Sequence, residues 1–258
     1  MASKFDDASQ HAYRYSDIAA EPRKMLLPIE GYQNMPLVSL EKAIEPLHSI
    51  LPGIQSKVWI AKQNCDTPED GLSPDESASI YLYSMEWEPQ DKCLYSVLNV
   101  TLRDKNRQNL KPWFSYLKLV LTALGRLPSV RTTIYRGVKL DLINDYPEGK
   151  TFVWWGFSSC TASLKVLQSE QFLGKTGVRT MFAINCSSGK NIKKHSYFET
   201  EDEILLPAAR QFKVIGCLDQ GNGFHMIQLE ETDPAFPLIE LVPKVSLLFF
   251  YYYYFYFF

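Results

Sequence analysis

The stretch Phe198-Glu199-Thr200-Glu201-Asp202-Glu203-Ile204-Leu205-Leu206-Pro207 places four carboxylates within five residues, directly before an apolar run. In an extended chain its three glutamates project from one face, because side chains alternate along a strand. The Ile-Leu-Leu run then predicts a buried strand that Pro207 ends. Like charges side by side at a strand entrance cost free energy, and such costs concentrate at functional sites. The alternative interpretation is a solvated acidic turn before a core strand.

The composition is that of an ordinary globular protein. The 258 residues are 46% hydrophobic and 22% charged, with a formal net charge of -2, so the chain contains one large domain or two small ones and gives no general reason to expect a nucleic-acid partner. The five cysteines are widely spaced and follow no zinc-binding pattern, so we expect reduced thiols and no metal. The first residues lack the apolar segment of a secretory signal, which predicts a cytoplasmic protein.

The first half of the chain has helical patterns. Residues 1–30 are polar without a sustained period and are expected to be a loosely structured lead-in, whereas residues 31–128 are predicted to be mainly helical. The helical patterns run from Leu37 to Leu47, onward from Ser73-Pro74, from Leu94 to Leu102 and from Trp113 to Leu127.

After Pro128 the pattern changes to that of strands. Residues 129–235 are predicted to be β-rich, with one helix inserted from Ala162 to Phe172. The strand signals cover residues 132–138, 151–159, 177–186, 204–206, 212–218 and 224–229. Helices followed by strands indicate an α+β fold.

Two further features of this half are candidates for chemistry. Arg136 lies in an apolar strand, and its planar guanidinium suits phosphate or carboxylate, while Gly137 allows a ligand to approach the backbone. An edge-strand arginine paired with an acidic neighbour is the alternative. The segment Phe157-Ser158-Ser159-Cys160-Thr161 offers small hydroxyl groups at the end of a strand, or simply caps the following helix.

The order of these features resembles the arginine-specific mono-ADP-ribosyltransferases. Members of that family carry an Arg, a Ser-Thr-Ser-like segment and a Glu-x-Glu before an apolar strand, matched here by Arg136, Ser159-Cys160-Thr161 and Glu201-x-Glu203. Cys160 departs from the more common Thr. The resemblance is strongest over residues 125–230. It implies a single domain over residues 31–243, with an N-terminal helical region followed by a core of two mainly antiparallel sheets and a nucleotide cleft between them.

The resemblance also implies a reaction and a role for each site residue. Such enzymes cleave nicotinamide from NAD or NADP, without a metal, and transfer ADP-ribose to an arginine of an acceptor protein. Glu203 would stabilise the oxocarbenium-like transition state, and Glu201 would act as base toward the incoming guanidinium. Arg136 and Gly137 would contact the nucleotide, and Ser159 would orient Glu203. Phe157 would stack on nicotinamide or belong to the core.

Two other functions remain open at this point. An NAD glycohydrolase would use the same site with water as acceptor, and a non-catalytic module would bind NAD or a partner without reaction. Residues 244–258 form an aromatic tail. It is interpreted foremost as a product of faulty gene prediction, with membrane contact or an aggregation-prone strand as alternatives.

Overall fold

The computed structural model describes residues 21–169, 172–198 and 201–239. In these residues the α-helices precede the strands, apart from one short α-helix, α6, that follows β3. The helices are α1 (Leu40–Ala43), α2 (Ile54–Gln63), α3 (Pro74–Ser84), α4 (Leu94–Leu102), α5 (Phe114–Arg126) and α6 (Leu164–Leu167). The strands are β1 (Ser129–Val138), β2 (Thr151–Trp154), β3 (Ser158–Thr161), β4 (Arg179–Asn191), β5 (Glu203–Leu206), β6 (Arg210–Asp219) and β7 (Phe224–Thr232).

Local sequence chemistry accounts for where several helices begin and end. Helix α3 begins as predicted, because the Ser73 hydroxyl accepts from the Glu76 amide and the Glu76 carboxylate accepts from the Ser73 amide. The helix predicted from Leu37 to Leu47 is interrupted near Pro46, so that α1 is followed by a separate 3-10 turn, Glu45–Leu47. Helix α2 was not predicted, since its apolar residues give only a weak helical pattern.

The strands join in one seven-stranded sheet with the order β1-β3-β5-β4-β7-β6-β2 and an additional β1–β4 pairing. The α+β class and the mainly antiparallel core are confirmed, with β4 and β7 as the parallel pair. Two separate sheets were expected, but β3 and β5 are hydrogen-bonded to the other strands. Tyr135 of β1 pairs with Thr161 of β3, and the end of β4 pairs with β5 at Lys190 and Asn191. The thirteen-residue length of β4 lets it reach both groups of strands.

Two hydrophobic cores meet along the strands that carry the candidate site. One core lies mainly among the helices and includes Trp155, Phe157 and Leu205 from the β half. The other lies on the sheet and includes Ile204 and Leu206. Because side chains alternate along a strand, β5 contributes to both cores.

Other predictions for the β half need adjustment. The strand expected over residues 151–159 is divided into β2 and β3 by a turn at Trp155-Gly156-Phe157, and the helix expected from Ala162 to Phe172 is only the four-residue α6 in the described part of the chain. Residues 1–20 of the predicted lead-in and the tail at 244–258 lie outside the described residues. The predicted domain boundaries stay a prediction. No helix within the described ranges is long and apolar enough to cross a membrane.

Candidate active site

The adjacent strands β3 and β5 bring a serine and a glutamate together. In this antiparallel pair Thr161 lies opposite Glu203 and Ser159 opposite Leu205. Ser159 and Thr161 are two positions apart, so their side chains share the face on which Glu203 lies. The Ser159 hydroxyl donates to Glu203 Oε1 at 2.6 Å, and both side chains are almost completely buried. The hydrogen bond expected from the sequence is therefore present.

A second serine, Ser196, contacts the other oxygen of the same carboxylate. Its hydroxyl donates to Glu203 Oε2 at 3.2 Å, and the residue is only 2% exposed. A carboxylate removed from water needs such donors, because burial of an uncompensated charge is very costly. Ser196 was not predicted from the sequence, since a single serine seven residues before the glutamate carries no recognisable signal.

Arg136 lies beside Ser159 and Glu203. Strand β1 is hydrogen-bonded to β3 and β4, so Arg136 is not on an edge strand, and its side chain is fully buried. Its Nη1 donates to the carbonyl oxygen of Ser159 at 3.0 Å, and its guanidinium carbon lies 5.9 Å from the centre of the Trp154 ring. Arg136 therefore holds the backbone of the residue whose hydroxyl holds Glu203.

The pKa of the Cys160 thiol is affected by burial and by the charges of Arg136 and Glu203. Burial raises the pKa of this thiol to about 12, while the positive charge of Arg136 lowers it and the negative charge of Glu203 raises it. A thiol with such a pKa stays protonated at neutral pH and is a poor nucleophile. The cysteine in the middle of the hydroxyl segment is thus a core residue, and its neighbours carry the polar chemistry.

The turn before Ser159 is held by α4. Asn99 accepts a hydrogen bond from the Phe157 amide at 2.9 Å and donates to the Phe157 carbonyl oxygen at 3.2 Å. A Cβ at Gly156 would lie 2.7 Å from Nη2 of Arg103, directly after α4, and 3.1 Å from Asn99 Cγ within it, so the turn leaves little room for a side chain. The carboxylate of Glu21 binds Arg103 Nε at 2.6 Å and accepts from the Trp155 amide at 2.8 Å.

The remaining candidate residues lie in different surroundings. Glu201 is half-buried and lies two residues before β5 begins, where its amide donates to the Phe198 carbonyl oxygen at 3.1 Å. The expected shared face with Glu203 stays a prediction. Glu199 lies outside the described residues.

Phe157 is packed in the helical core, with its ring centre 5.2 Å from that of Tyr83. A Cβ on Gly137 would lie 2.8 Å from Leu173 Cβ, so this glycine is explained by protein packing. The nucleotide contacts expected for Phe157 and Gly137 stay predictions.

The described residues contain no group of three or more His, Cys, Asp or Glu side chains suited to a metal ion. What they do contain is a buried glutamate held by two serines, next to a buried arginine. A sequence model of the family described as "ART: NAD:arginine ADP-ribosyltransferase" matches residues 45–235. The chain belongs to this family. The membership predicted from the three motifs is confirmed.

Individual relatives in the family are distant from this chain. It is 24% identical over 237 residues to the NAD(+)--protein-arginine ADP-ribosyltransferase Tre1 of Serratia proteamaculans, covering 88% of this chain and 46% of that protein. It is 34% identical over 131 residues to the mouse GPI-linked NAD(P)(+)--arginine ADP-ribosyltransferase 1, covering 47% of this chain and 38% of that one. The chain therefore spans less than half the length of these curated relatives.

A solved structure of an ADP-ribosyltransferase supports the fold. The ADP-ribosyltransferase Vis, a toxin from Vibrio splendidus crystallised with agmatine, matches with a TM-score of 0.51 and 20% identity, covering 80% of this chain and 92% of that one. At this level of identity the match shows a shared fold.

Proposed function

We propose that this chain transfers ADP-ribose from NAD to an arginine side chain of an acceptor protein, with release of nicotinamide. The observation that carries the proposal is the Glu203 carboxylate, which is buried and bound through both oxygens by Ser159 and Ser196. Family membership supports the choice of NAD and of an arginine acceptor.

Glu203 is assigned the stabilisation of the transition state. The bond between nicotinamide and C1′ of the ribose breaks, and its electron pair leaves with nicotinamide, so positive charge develops on the ribose. A fixed carboxylate stabilises that charge, and it does so more strongly where water is excluded. Glu203 fits this role because it is buried and because two hydroxyl donors restrict its orientation.

Glu201 is assigned the role of base toward the acceptor arginine. A guanidinium nitrogen forms the new bond to C1′ and loses a proton, which a nearby carboxylate accepts. The partial exposure of Glu201, just before β5 begins, supports a role toward a group that arrives from solvent. The relative Vis was crystallised with agmatine, which is itself a guanidine, and this supports the same class of acceptor here.

Arg136 and Ser159 are assigned the binding of the nucleotide. The planar guanidinium of Arg136 suits the pyrophosphate or the adjacent ribose, and its bond to the Ser159 carbonyl would join nucleotide binding to the position of Glu203. NADP is a further candidate co-substrate, because the printed name of the mouse relative includes NAD(P)(+). We expect neither co-substrate to require a metal, so chelation with EDTA is expected to leave the rate unchanged.

The proposal is tested by measuring nicotinamide release and ADP-ribose incorporation together, with NAD or NADP and with or without agmatine. Glu203→Gln keeps the shape of the side chain and removes its charge, so we expect it to lose both reactions. Glu201→Gln is expected to lose transfer and keep some NAD hydrolysis. Asp202→Asn, at the exposed neighbour that is paired with Lys193, is the matched control and is expected to keep both.

Two outcomes would contradict the proposal. Wild-type protein that releases nicotinamide without modifying any guanidine would be an NAD glycohydrolase. Wild-type protein that neither binds nor cleaves NAD would be a non-catalytic module.

A further inference from the structure

Three consecutive residues, His195-Ser196-Tyr197, connect the Glu203 carboxylate to the helical half; we call them the anchor tripeptide. Its middle residue donates to Glu203 Oε2, as described above. The outer two residues are bound to α3: His195 Nδ1 lies 2.9 Å from Ser77 Oγ, and the Tyr197 amide donates to Ser84 Oγ at 2.8 Å.

One face of α3 provides these contacts. Ser77, Tyr81 and Ser84 are spaced by four and three residues, so they lie along the same side of the helix. The ring of Tyr81 packs edge-on against that of Tyr197, with centres 5.6 Å apart and planes at 83°. Two hydrogen bonds and a ring contact therefore seat the tripeptide on the helix.

The partners of His195 determine how its ring is oriented. The ring is fully buried, and burial lowers the pKa of His195 below its ordinary value, so the imidazole is neutral. Its Nε2 lies 3.3 Å from Asp70 Oδ2, and an ionised carboxylate accepts hydrogen bonds only. Nε2 is therefore assigned the proton, and Nδ1 accepts from the Ser77 hydroxyl. Lys194 Nζ in turn lies 3.2 Å from Asp70 Oδ1.

We propose that Ser196 is a positioning residue for Glu203, and that the contacts of His195 and Tyr197 with α3 keep Ser196 in place. This inference rests on the proposed function, since it assigns Ser196 a part in that reaction. Ser159 holds Glu203 Oε1 from β3, and a carboxylate held through one oxygen is free to rotate. A second donor on Oε2, coming from a different element, fixes the plane of the carboxylate before NAD binds.

The first test compares variants of Ser196 in nicotinamide release. Ser196→Ala is expected to lower kcat by about tenfold or more, because a hydrogen bond to a charged group is worth at least that factor. The KM for NAD is expected to change by less than about threefold, since the carboxylate acts mainly in the transition state. Ser196→Thr and Ser196→Val have the same shape and differ in one hydroxyl, so only Thr should retain activity. Ser187→Ala, at an exposed serine of β4, is the control.

The second test asks whether α3 acts through Ser196. Ser77→Ala removes the hydroxyl bound to His195 and is expected to lower kcat as well. The double variant Ser77→Ala/Ser196→Ala is expected to be no slower than Ser196→Ala alone, because both changes remove the same hydrogen bond to Glu203. Melting temperatures of all variants show whether the fold is retained.

The possible results separate the two proposals. Active wild-type protein with an unchanged kcat in Ser196→Ala, or equal rates in the Thr and Val variants, would overturn the positioning role and leave the proposed function standing. Fully additive losses in the double variant would overturn the connection through α3. Wild-type protein that releases no nicotinamide would refute the proposed function, and the inference would fall with it.

Discussion

Replacement of Asn99 by leucine tests how far the site depends on α4. Asn99 is 2% exposed and binds both backbone groups of Phe157, the donor at 2.9 Å and the acceptor at 3.2 Å. Leucine has a similar size and makes neither bond, so both groups lose this partner in a buried turn. Each such group costs about 1–3 kcal/mol, so we expect the free energy of unfolding to fall by about 4 kcal/mol, within a range of about 2–6 kcal/mol.

Equilibrium urea denaturation followed by tryptophan fluorescence measures this loss. Asn99→Asp keeps an acceptor for the Phe157 amide but places a buried carboxylate oxygen against the Phe157 carbonyl oxygen, so it should lose at least as much stability as Asn99→Leu. The control Asn185→Leu changes an exposed asparagine of β4 and is expected to stay within about 0.5 kcal/mol of wild type. Because the turn leads directly to Ser159, we expect Asn99→Leu to lower kcat for nicotinamide release as well.

One result would refute this reasoning. If Asn99→Leu unfolds within about 0.5 kcal/mol of wild type, the size expected for a change at a neutral surface position, then Asn99 does not hold the turn. The contacts of Glu21 with Arg103 and the Trp155 amide would then be the next to examine.

Two further predictions concern packing and pH. Gly137→Ala places a Cβ 2.8 Å from Leu173 Cβ, so in urea denaturation we expect a loss of about 1–3 kcal/mol from overpacking, and an unchanged midpoint would contradict the contact. Burial lowers the pKa of His195 below 6.5 in the folded protein, so the unfolded chain takes up a proton first. The contribution of His195 to the free energy of unfolding is fully present above about pH 6.5. It declines as the pH falls toward the pKa that His195 has in the folded protein. His195→Gln should remove that part of the decline between pH 7 and pH 5; equal slopes in both proteins would show that His195 does not titrate in this range.

The sequence predicted the parts of the fold that depend on local pattern. Helix α3 was found because a serine can cap free amides and a proline is tolerated in the first turn, and both are visible within the four residues Ser73-Pro74-Asp75-Glu76. The strands from β4 onward were found from runs of alternating and β-branched residues. Residues 37–47 were predicted as one helix because the apolar spacing continues across Pro46, whose effect on the helix outweighs that spacing.

The sequence predicted only those residues of the candidate site that belong to a recognisable motif. The contact of Ser159 with Glu203 was expected from the order of the motifs, and the structure contains it. Ser196 and Asn99 were missed, because the bond from Asn99 crosses 58 residues of chain and each is a single common polar residue. Glu201 was expected on the same face as Glu203, and this stays a prediction, because β5 begins only at Glu203. Strand boundaries depend on pairing with a distant partner, which a local pattern does not contain.

The alternation along β5 also bears on how the chain can be divided. Leu205 packs among the helices while Ile204 and Leu206 pack on the sheet, and Trp155 and Phe157 also belong to the helical core. A fragment cut between α5 and β1 would leave each piece with an unfilled apolar surface. We expect neither fragment to fold when expressed alone, and we expect the two pieces to regain structure only when mixed. A split version of the protein, joined at this point by two interacting partners, would then report their association through the recovery of activity.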